Sequence, residues 1–427
     1  MRVKYHSVWE PLNLLYLASY VRRNVPLIHI KILDGYFVSD NVLLSEASRS
    51  DVVGISASTP QLHAALDIAK KIKQENPDTK IVFGGYGPSY QPRRCVKPYI
   101  DHVVIGEGEE ALRRIIVGEE HKHFVSLEPI KNIDSIPFPA RDLVDLERYI
   151  RIAVKEEGRR VTSLLSARGC PANCLFCAEG YGLAWNRAVY DQGRYVRVGP
   201  KSVRLRCPLL VVEEMLHIRD KYLLDFIKFS DAETNPTKKH FVDLCKEIVS
   251  QRLDTPWGCN MRADKVDEEV AKWAEKAGCV EWWIGVESGS DKILQHLNKD
   301  ITVDQTRNTF RFAKKHGIKT RANLFLGSDL ESLDTVKETE TLLDEIDPDL
   351  VAIAILMPYP GTAYYSAFVK KHPEVDWTKM DNYGNPYRRS HYMSNVELRG
   401  EQIRLLEKYG GKLPPIIDKK MAEGIIK

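Results

Sequence analysis

The sequence predicts an α/β protein in which an amino-terminal doubly wound parallel sheet precedes a partial parallel barrel. Helix and strand patterns alternate between about residues 11 and 112, which is typical of a parallel sheet covered by helices. The alternation stops in a proline-rich connector and resumes near residue 161 with about six further strand-helix units. Six units are too few for a closed eightfold barrel, so an open (β/α)6 barrel is expected.

Composition is that of a soluble globular protein. The chain has 427 residues, enough for two or three domains, with 43% hydrophobic and 28% charged residues. Its longest apolar runs are strand-sized, so no membrane span is expected, and a formal net charge of +3 does not call for nucleic acid. The first residues lack the apolar core of a signal peptide, which favours a cytoplasmic location. There, clustered cysteines bind metal or do redox chemistry more often than they pair.

The first domain is expected over residues 1–120. Its helices are predicted at LNLLYLASYVRR and LHAALDIAKKIKQ, and its strands at LIHIKILD, DVVGISAS and KIVFGG, while HVVIGEGEEALRRII reads as a strand that turns into a helix. Ligands of such sheets bind beyond the carboxyl ends of the strands. SASTP, GGYGPSY and GEGE stand there, and their small residues would let a ligand approach the backbone.

A linker is expected over residues 121–160, a barrel over 161–365 and a carboxyl-terminal substrate-side region over 366–427. The barrel strands are predicted at VTSLLSA, DFIKFSDAE, TPWGCNMRAD, VEWWIGVESGS, KTRANLFLGSD and LVAIAILMPYPGT. The helices between them are predicted at VDEEVAKWAEKAG, TVDQTRNTFRFAKKHG and LDTVKETETLLDEI. Regularity weakens after residue 366, where an aromatic and arginine-rich stretch could form a lid or a surface cap.

Three cysteines stand within eight residues, in SARGCPANCLFCAEG: Cys170, Cys174 and Cys177. A structural zinc site takes four protein ligands, and no second Cys or His pair follows at zinc spacing. Three thiolates suit a cubane iron-sulfur cluster whose fourth iron stays open. A disulfide with a spare thiol is disfavoured by the compartment. The other cysteines stand singly and are expected to be mostly buried small hydrophobes; they are Cys95, Cys207, Cys245, Cys259 and Cys279.

The CxxxCxxC spacing, with Phe176 before the last cysteine, resembles the radical S-adenosylmethionine (SAM) superfamily. The resemblance implies a [4Fe-4S] cluster on the three cysteines, SAM on the open iron, and a 5′-deoxyadenosyl radical after reduction. By its position, Phe176 would flank the adenine.

Four further stretches resemble family elements in the right order. FSDAETN makes Asp231 and Glu233 candidates for the methionine amino end of SAM, although it departs from the common Gly-Gly-Glu form. NMRAD puts Arg262 where a guanidinium can pair with a carboxylate. GVESGS puts Glu287 and Ser288 at the ribose, and LFLGSD resembles the glycine-containing strand along the adenine.

With its amino-terminal domain, the chain resembles the cobalamin-dependent radical SAM class over about residues 11–362. Candidate contacts to the corrin and its nucleotide tail are Ser58, Thr59, Gly84, Gly85, Gly106 and Glu107. No histidine follows Asp34 in LDGYFVSD at the spacing that donates a cobalt ligand, so the lower axial position is not expected to be filled from this loop. MRVKYHSV lacks the usual apolar run of a first strand, which would also suit a vestigial domain.

The resemblance implies a methyltransferase that uses one SAM as methyl source through methylcobalamin and a second as radical source, with an electron donor such as flavodoxin or ferredoxin. Candidate substrate contacts are Tyr359, Tyr383, Tyr387 and Arg388. They could grip a peptide or close over a small anionic metabolite. A residue within a protein or peptide, for example in methyl-coenzyme M reductase, is favoured.

Three other functions stay open. A radical SAM enzyme that has lost cobalamin would carry out an oxidation, cyclisation or coupling. A non-catalytic iron-sulfur or zinc protein would bind metal without cleaving SAM. A methylthiotransferase would need a second cluster on three amino-terminal cysteines, but only Cys95 precedes the triplet.

Overall fold

The computed structural model describes residues 8–178, 188–191, 194–197, 203–372, 375 and 385–410. These residues form two parallel sheets, of four and six strands, and two small antiparallel pairs. Within the described residues, no helix has the length and apolarity needed to cross a membrane.

The amino-terminal sheet has the parallel strand order β1 (Val52–Ser56), β2 (Lys80–Gly84), β3 (His102–Val104) and β4 (Phe124–Val125). Its helices are α1 (Leu12–Asn24), α2 (Asp40–Ala47), α3 (Leu62–Glu75), α4 (Tyr86–Tyr90) and α5 (Glu109–Ile116). Alternate residues of β2 point to different cores. Ile81 and Phe83 pack in the cluster that contains residues of α3, and Val82 packs with residues of α5. Helices therefore cover both faces, as a doubly wound sheet requires.

The predicted strand at LIHIKILD is wrong. Residues 28–34 form no strand, although Ile28, Ile30 and Ile32 are half-buried while His29 and Lys31 are exposed. The exposure alternates as in a strand, but a strand also needs a hydrogen-bonded neighbour, and within the described residues none pairs with the outer edge of β1. As the edge strand, β1 is half-buried, with Gly54 exposed.

The connector ends in α6 (Leu146–Glu157) and is anchored to the barrel. Arg141 lies buried in it, donating to Glu214 at 2.8 Å and to the Ser163 carbonyl at 2.7 Å. Arg206 donates to the other oxygen of Glu214 at 2.7 Å, so two guanidinium groups neutralise one fully buried carboxylate. Buried charge pairs held this way resist separation, because losing one partner leaves an uncompensated charge.

The six-stranded sheet confirms the partial parallel barrel. Its strands run in sequence order: β5 (Val161–Leu164), β10 (Phe226–Phe229), β11 (Trp257–Met261), β12 (Cys279–Glu287), β13 (Lys319–Leu326) and β14 (Leu350–Ile355). The shorter strands that follow β5 are β6 (Ala167–Arg168), β7 (Ala188–Asp191), β8 (Arg194–Arg197) and β9 (Arg204–Leu205). The helices are α7 (Pro208–Tyr222), α8 (Lys238–Ser250), α9 (Glu268–Lys276), α10 (Asp291–His296), α11 (Val303–Lys315), α12 (Leu333–Ile346), α13 (Ala363–Lys371) and α14 (Asn395–Lys408).

One face of the barrel strands packs on the helices. Ile227, Trp282, Ile284, Ala322 and Val351 are buried in the main hydrophobic core. The alternate residues of β12, β13 and β14 are mostly half-buried on the concave face. This alternation is what an open parallel barrel with an accessible interior produces.

The carboxyl-terminal region is more regular than the sequence pattern suggests. Helix α14 begins at a capping box of Ser394 and Glu397 and lies against the last strand, where Gln402 donates to the Ile353 carbonyl at 2.6 Å. A capping box is readable from sequence. The expectation of weak regularity after residue 366 was therefore wrong for α14, while residues 376–384 lie outside the described part.

Four of the five single cysteines are buried as expected, and Cys207 is exposed. Burial raises the pKa of both Cys245 and Cys259, and the nearby Cys279 raises both further. Residues scattered along the sequence therefore meet in one place, which their spacing did not reveal.

Candidate functional site

The loop that carries the three cysteines is held by one buried carboxylate. Asp231 follows β10 and accepts hydrogen bonds from the Ser166 amide at 2.7 Å, the Ser166 hydroxyl at 2.6 Å and the Ala167 amide at 3.0 Å. Burial raises the pKa of Asp231 to about 6, against the lowering effect of these donors. Asp231 was predicted as a SAM contact. In the structure its carboxylate holds the start of the cysteine loop.

The three thiols lie on that loop at the carboxyl end of the barrel. Cys174 is buried and Cys170 and Cys177 are half-buried, with the Cys177 amide donating to the Cys174 carbonyl at 3.3 Å. Burial, then Glu233 and the other two cysteines, raises the pKa of Cys170 to about 12. The described residues contain no set of three side chains already gathered for metal binding. The thiols fit a cluster by their chemistry and by their shared place on one loop.

Charged groups surround the thiols. The Cys170 thiol donates to Glu233 at 3.7 Å, and Glu233 pairs with Lys265 at 3.2 Å. Arg262 donates to the Cys174 sulfur at 3.7 Å and also pairs with Asp264 at 2.8 Å. A guanidinium beside a sulfur favours its thiolate form, which is the form that ligates metal. Arg262 therefore lies beside the cysteine loop, and its role in orienting SAM stays a prediction.

Glu287 ends β12 with its backbone in the left-handed region, at φ +62°. A β-bulge precedes it, and its carboxylate pairs with the buried Lys299 at 2.6 Å. Left-handed backbone in a non-glycine residue is costly and concentrates at functional sites. The strained turn aims the Glu287 side chain off the strand end, where a ribose contact was predicted.

Phe176 lies half-buried against Phe325 of β13, with ring centroids 4.8 Å apart, in a cluster that also contains Leu297 and Tyr364. It therefore borders the strand that was predicted to run along the adenine. Ser288, predicted at the ribose, is buried, and its hydroxyl accepts from the Ser290 amide at 3.2 Å and meets Thr339 at 3.4 Å. These contacts of Ser288 hold the turn after β12 against α12.

The ligand edge of the amino-terminal sheet is made of glycine and backbone. A Cβ on Gly84 or Gly106 would meet nothing within 4 Å, so open space lies beside the ends of β2 and β3. Gly85 has φ +91°, and a Cβ there would lie 2.8 Å from the Ser56 hydroxyl. Ser58 and Thr59 lie in the turn after β1, where Ser58 bonds to Gln61. This edge leaves space for a ligand beside Gly84 and Gly106, and the predicted corrin contacts stay a prediction.

Glu107 lies in that edge but pairs with the barrel. Its carboxylate accepts from Arg204 at 2.8 Å and faces Arg168 at 3.4 Å, while Glu109 accepts from Arg168 at 2.7 Å. Burial alone would raise the pKa of Glu107, but the two arginines outweigh it and lower the pKa. A second contact joins Tyr90 of α4 to the carbonyl of Ala178, next to Cys177, at 2.5 Å. The glycine-rich edge and the cysteine loop are therefore directly joined.

The predicted substrate residues are dispersed. Tyr359 is 38% exposed in the turn after β14. Tyr387 packs on His372 with ring centroids 5.6 Å apart. Arg388 donates to the Gly327 carbonyl and to Asp329, at 2.5 and 2.7 Å, and covers the Tyr364 ring. Tyr383 lies outside the described residues. Tyr359 and Arg388 thus lie at the carboxyl ends of two different barrel strands, β14 and β13.

Several polar residues at the site were missed from the sequence. Lys265 and Lys299 neutralise predicted acids. Ser328, Tyr364 and His296 each carry a buried polar atom that, among the described residues, has no hydrogen-bond partner. Burial raises the pKa of Tyr364 to about 12. For Ser328, the only feature of the sequence that pointed to the site was its position after a strand-end glycine. For the other residues no feature of the sequence pointed to the site.

Comparisons with known proteins match both halves of the chain. Residues 1–116 match the B12 binding domain, and residues 164–343 match the radical SAM superfamily. An uncharacterized methyltransferase of Pyrococcus horikoshii, PH0819, is 28% identical over 90% of this chain and 84% of its own length. The anaerobic magnesium-protoporphyrin IX monomethyl ester cyclase of Rubrivivax gelatinosus is 26% identical over 91% of this chain and 72% of its own.

The fold is also that of a solved structure. TsrM, a radical SAM methyltransferase from Kitasatospora setae whose structure holds cobalamin and a [4Fe-4S] cluster, superposes with a TM-score of 0.69. The match covers 87% of this chain and 74% of TsrM at 19% identity. Both the doubly wound domain and the open barrel are therefore confirmed as one known architecture.

Proposed function

We propose, since the chain belongs to the cobalamin-dependent radical SAM methyltransferases, that this enzyme methylates an unactivated carbon of a small molecule. Its cofactors are cobalamin, a [4Fe-4S] cluster and SAM. When bound, these groups supply the reductive cleavage of one SAM and the transfer of a methyl group from another. The protein's part is to hold them in register and to exclude water.

Each group has residues that would hold it. Cys170, Cys174 and Cys177 would ligate the cluster, and Asp231 fixes the start of their loop. Arg262 and Glu287 would orient SAM beside Phe176. Cobalamin would lie on the glycine edge, where Gly84 and Gly106 leave space. The loop around Asp34 offers no histidine to the cobalt: the Asp34 carboxylate accepts from Tyr149 at 2.7 Å.

The observation that carries the proposal is the direct joint between the two regions. Arg168, two residues before Cys170, pairs with Glu109 of the amino-terminal domain, and Tyr90 bonds to the residue after Cys177. A chain that used only one of the two cofactors would not need these loops in contact. A reaction that passes a methyl group from one cofactor to a carbon activated at the other does need it.

We propose a small-molecule substrate rather than the protein or peptide favoured by the aromatic carboxyl-terminal stretch. Magnesium-protoporphyrin IX monomethyl ester, named for the Rubrivivax relative, is a small molecule. Of the predicted peptide-gripping residues, Arg388 already has its guanidinium bound to the Gly327 carbonyl and to Asp329. Radical SAM chemistry also needs a reductant, for which we propose a flavodoxin or ferredoxin.

The test is an anaerobic assay with cluster-loaded, cobalamin-loaded enzyme, a reductant and SAM whose methyl group carries deuterium. A small-molecule extract of the source cells supplies substrate. We expect both 5′-deoxyadenosine and S-adenosylhomocysteine, and a product that carries the deuterated methyl group. Omitting cobalamin should remove the S-adenosylhomocysteine. Methylation that continues without cobalamin would contradict the proposal.

A cyclase or other oxidation is the second candidate, since the Rubrivivax relative is a cyclase that matches 91% of this chain. It predicts 5′-deoxyadenosine with no S-adenosylhomocysteine in the same assay, and a product that has lost hydrogen. The two coproducts therefore separate the candidates before the substrate is identified.

A further inference from the structure

The concave face of the barrel carries a set of polar side chains below the cofactor level. Lys228 of β10, Asn260 of β11, Trp283 of β12, and Arg321 and Asn323 of β13 are all half-buried. Their neighbours Ile227, Trp282, Ile284 and Ala322 are in the helix-facing core, so these five point into the barrel interior. Each of these five side chains keeps part of its surface accessible on this face.

The described carboxylates of this interior are already engaged. Glu281 accepts from Arg159 at 2.7 Å, and Glu287 pairs with Lys299 at 2.6 Å. Glu10, which lies along β5, accepts from the Ser163 amide at 2.8 Å and from the Thr162 hydroxyl at 2.6 Å. Among the described residues, none of these three carboxylates forms an ion pair with Lys228 or Arg321.

Lys228 and Arg321 are the cations that this leaves. The Lys228 ammonium lies 4.3 Å from the Trp9 ring and 5.0 Å from the Trp283 ring. A cation-π contact holds an ammonium without neutralising it. Arg321 makes no hydrogen bond or ion pair with any described residue, although its guanidinium carries five donors.

The two charges act on one another. Burial is the largest cause that lowers the pKa of the Lys228 ammonium. Of the charges around it, Glu157 raises this pKa most, Arg321 then lowers it, Glu10 raises it and Arg159 lowers it. Trp283 stands opposite Arg321 in the register of β12 and β13 and carries Lys228 on its ring. The interior thus holds two neighbouring positive charges with an aromatic side chain between them. An anion placed there would relieve their repulsion.

This pair is separate from the SAM-binding residues. Glu287 is paired in register with Leu324, three residues beyond Arg321 along β13. At about 3.3 Å per residue, Arg321 lies about 10 Å deeper in the barrel than Glu287. A group held by Lys228 and Arg321 would therefore be a part of the substrate remote from the strand ends.

We infer that Lys228 and Arg321 bind an oxyanion of the substrate, either a carboxylate or a phosphate, and so define an anionic small molecule as the substrate class. That the bound molecule is a substrate rests on the proposed function. That an anion binds here rests on the barrel interior alone. Anchoring one end of the molecule deep in the barrel would set which of its carbons reaches the cofactors at the strand ends.

The experiment is isothermal titration of the cluster-loaded full chain with benzoate, phenyl phosphate and the neutral benzamide. We expect one of the two anions to bind at least about tenfold more tightly than benzamide, as charge-assisted hydrogen bonds require. The preferred anion identifies the carboxylate or the phosphate. Equal binding of all three compounds would overturn the inference.

Variants locate the binding. Lys228→Met and Arg321→Met should each weaken binding of the preferred anion by about tenfold to a hundredfold. Lys228→Arg and Arg321→Lys keep the charge, so they should retain most of the anion affinity. They show whether a loss in the Met variants comes from the lost charge or from misfolding. Lys272→Met, which removes a charge from the exposed surface of α9, is the matched control. Wild-type affinity in the two Met variants would show that the anion binds elsewhere and would reject the site.

A parallel assay keeps the two proposals apart. Formation of 5′-deoxyadenosine and S-adenosylhomocysteine is measured with the wild-type enzyme only. If these products are absent while the anion still binds through Lys228 and Arg321, the proposed function fails and the anion site stands. If the products form and benzoate and phenyl phosphate bind no better than benzamide, only the anion site fails.

Discussion

The barrel holds its candidate site with interlocked side chains, whereas the amino-terminal sheet leaves its ligand edge to glycine and backbone. In the barrel, Asp231 fixes the cysteine loop, and Lys299 fixes Glu287. In the amino-terminal sheet, Gly84 and Gly106 leave open space. The acidic Glu107 forms ion pairs with arginines of the barrel. The barrel site is formed by particular side chains, whereas the edge of the amino-terminal sheet is formed by the absence of side chains.

The difference follows from the two ligands. A cluster needs thiolates at fixed positions and SAM needs charged partners, so both demand particular side chains. A corrin is wide, and its edge can be met by backbone that no side chain obstructs. Because of this, a substitution in the barrel site should remove a required chemical group and abolish ligand binding. A substitution at the amino-terminal site should change its shape and weaken ligand binding by degrees.

Replacing Cys174 with Ser should have the largest effect. The cluster would lose one of three protein ligands, so we expect most of the iron and all reductive cleavage of SAM to be lost, while cobalamin binding persists. Iron analysis and a 5′-deoxyadenosine assay measure this. Cys207→Ser, at an exposed cysteine outside the triplet, should keep both. A Cys174→Ser enzyme that still cleaves SAM would break the assignment of the cluster.

Replacing Glu107 with Gln tests the joint between the regions. Arg204 and Arg168 would lose a largely buried partner, with Glu107 and Arg204 side chains 14% and 9% exposed. We expect a loss of about 3 kcal/mol, and a lower thermal midpoint. Glu110→Gln is the matched control: Glu110 pairs only within its own domain, with Arg113 and Arg114 on the same helix. At partly exposed pairs the cost should be below about 1 kcal/mol.

The same joint has a pH signature. The folded pKa of Glu107 is lowered, so its contribution is present above the unfolded value of about 4.3 and is lost as the pH falls through the folded pKa. The stability difference between wild type and Glu107→Gln should therefore shrink in acid. A difference that stayed constant from neutral pH to the acid range would show that Glu107 acts by shape and not by charge.

Replacing Gly85 with Ala tests the amino-terminal edge by shape alone. The left-handed backbone at φ +91° and the contact at 2.8 Å to Ser56 should together cost about 2 kcal/mol. Cobalt content should fall while iron content stays. Gly84→Ala is the sharper comparison, because its Cβ meets open space and should leave the thermal midpoint unchanged while lowering cobalt binding. Equal loss of iron and cobalt in either variant would mean that the two sites are not independent.

The sequence predicted the six barrel strands and the cysteine loop because each rests on local information. Strand periodicity and thiol spacing are both properties of neighbouring residues. The false strand at LIHIKILD shows the limit, since its alternation of Ile28, Ile30 and Ile32 was real but its pairing partner was not. Pairing depends on which strand lies alongside, and periodicity carries no such information.

The same limit applies to the site. Arg262 and Glu287 were predicted as SAM contacts because NMRAD and GVESGS resemble family elements in the right order. Lys299, which neutralises Glu287, is twelve residues further on in a turn with no pattern of its own, and Arg168 meets Glu109 from 59 residues away. Lys228 and Arg321 were not predicted as site residues, because the sequence does not say that their face of the sheet curves inward.

The smallest expected effect concerns the loop that would carry a cobalt-binding histidine in other cobalamin proteins. Tyr149 of α6 is buried, and its hydroxyl donates to Asp34 at 2.7 Å, which ties this loop to the connector. Tyr149→Phe should cost about 1 kcal/mol, the usual value of one hydrogen bond. Tyr409→Phe, which removes a hydroxyl that donates to Asp344 at 2.6 Å on the far side of the barrel, should cost about the same. If the Asp34 loop borders the corrin, only Tyr149→Phe should also lower cobalamin retention. Equal retention in the two variants would mean that the loop serves the domain joint alone, and the amino-terminal site would then rest on its glycine edge without help from any side chain of that loop.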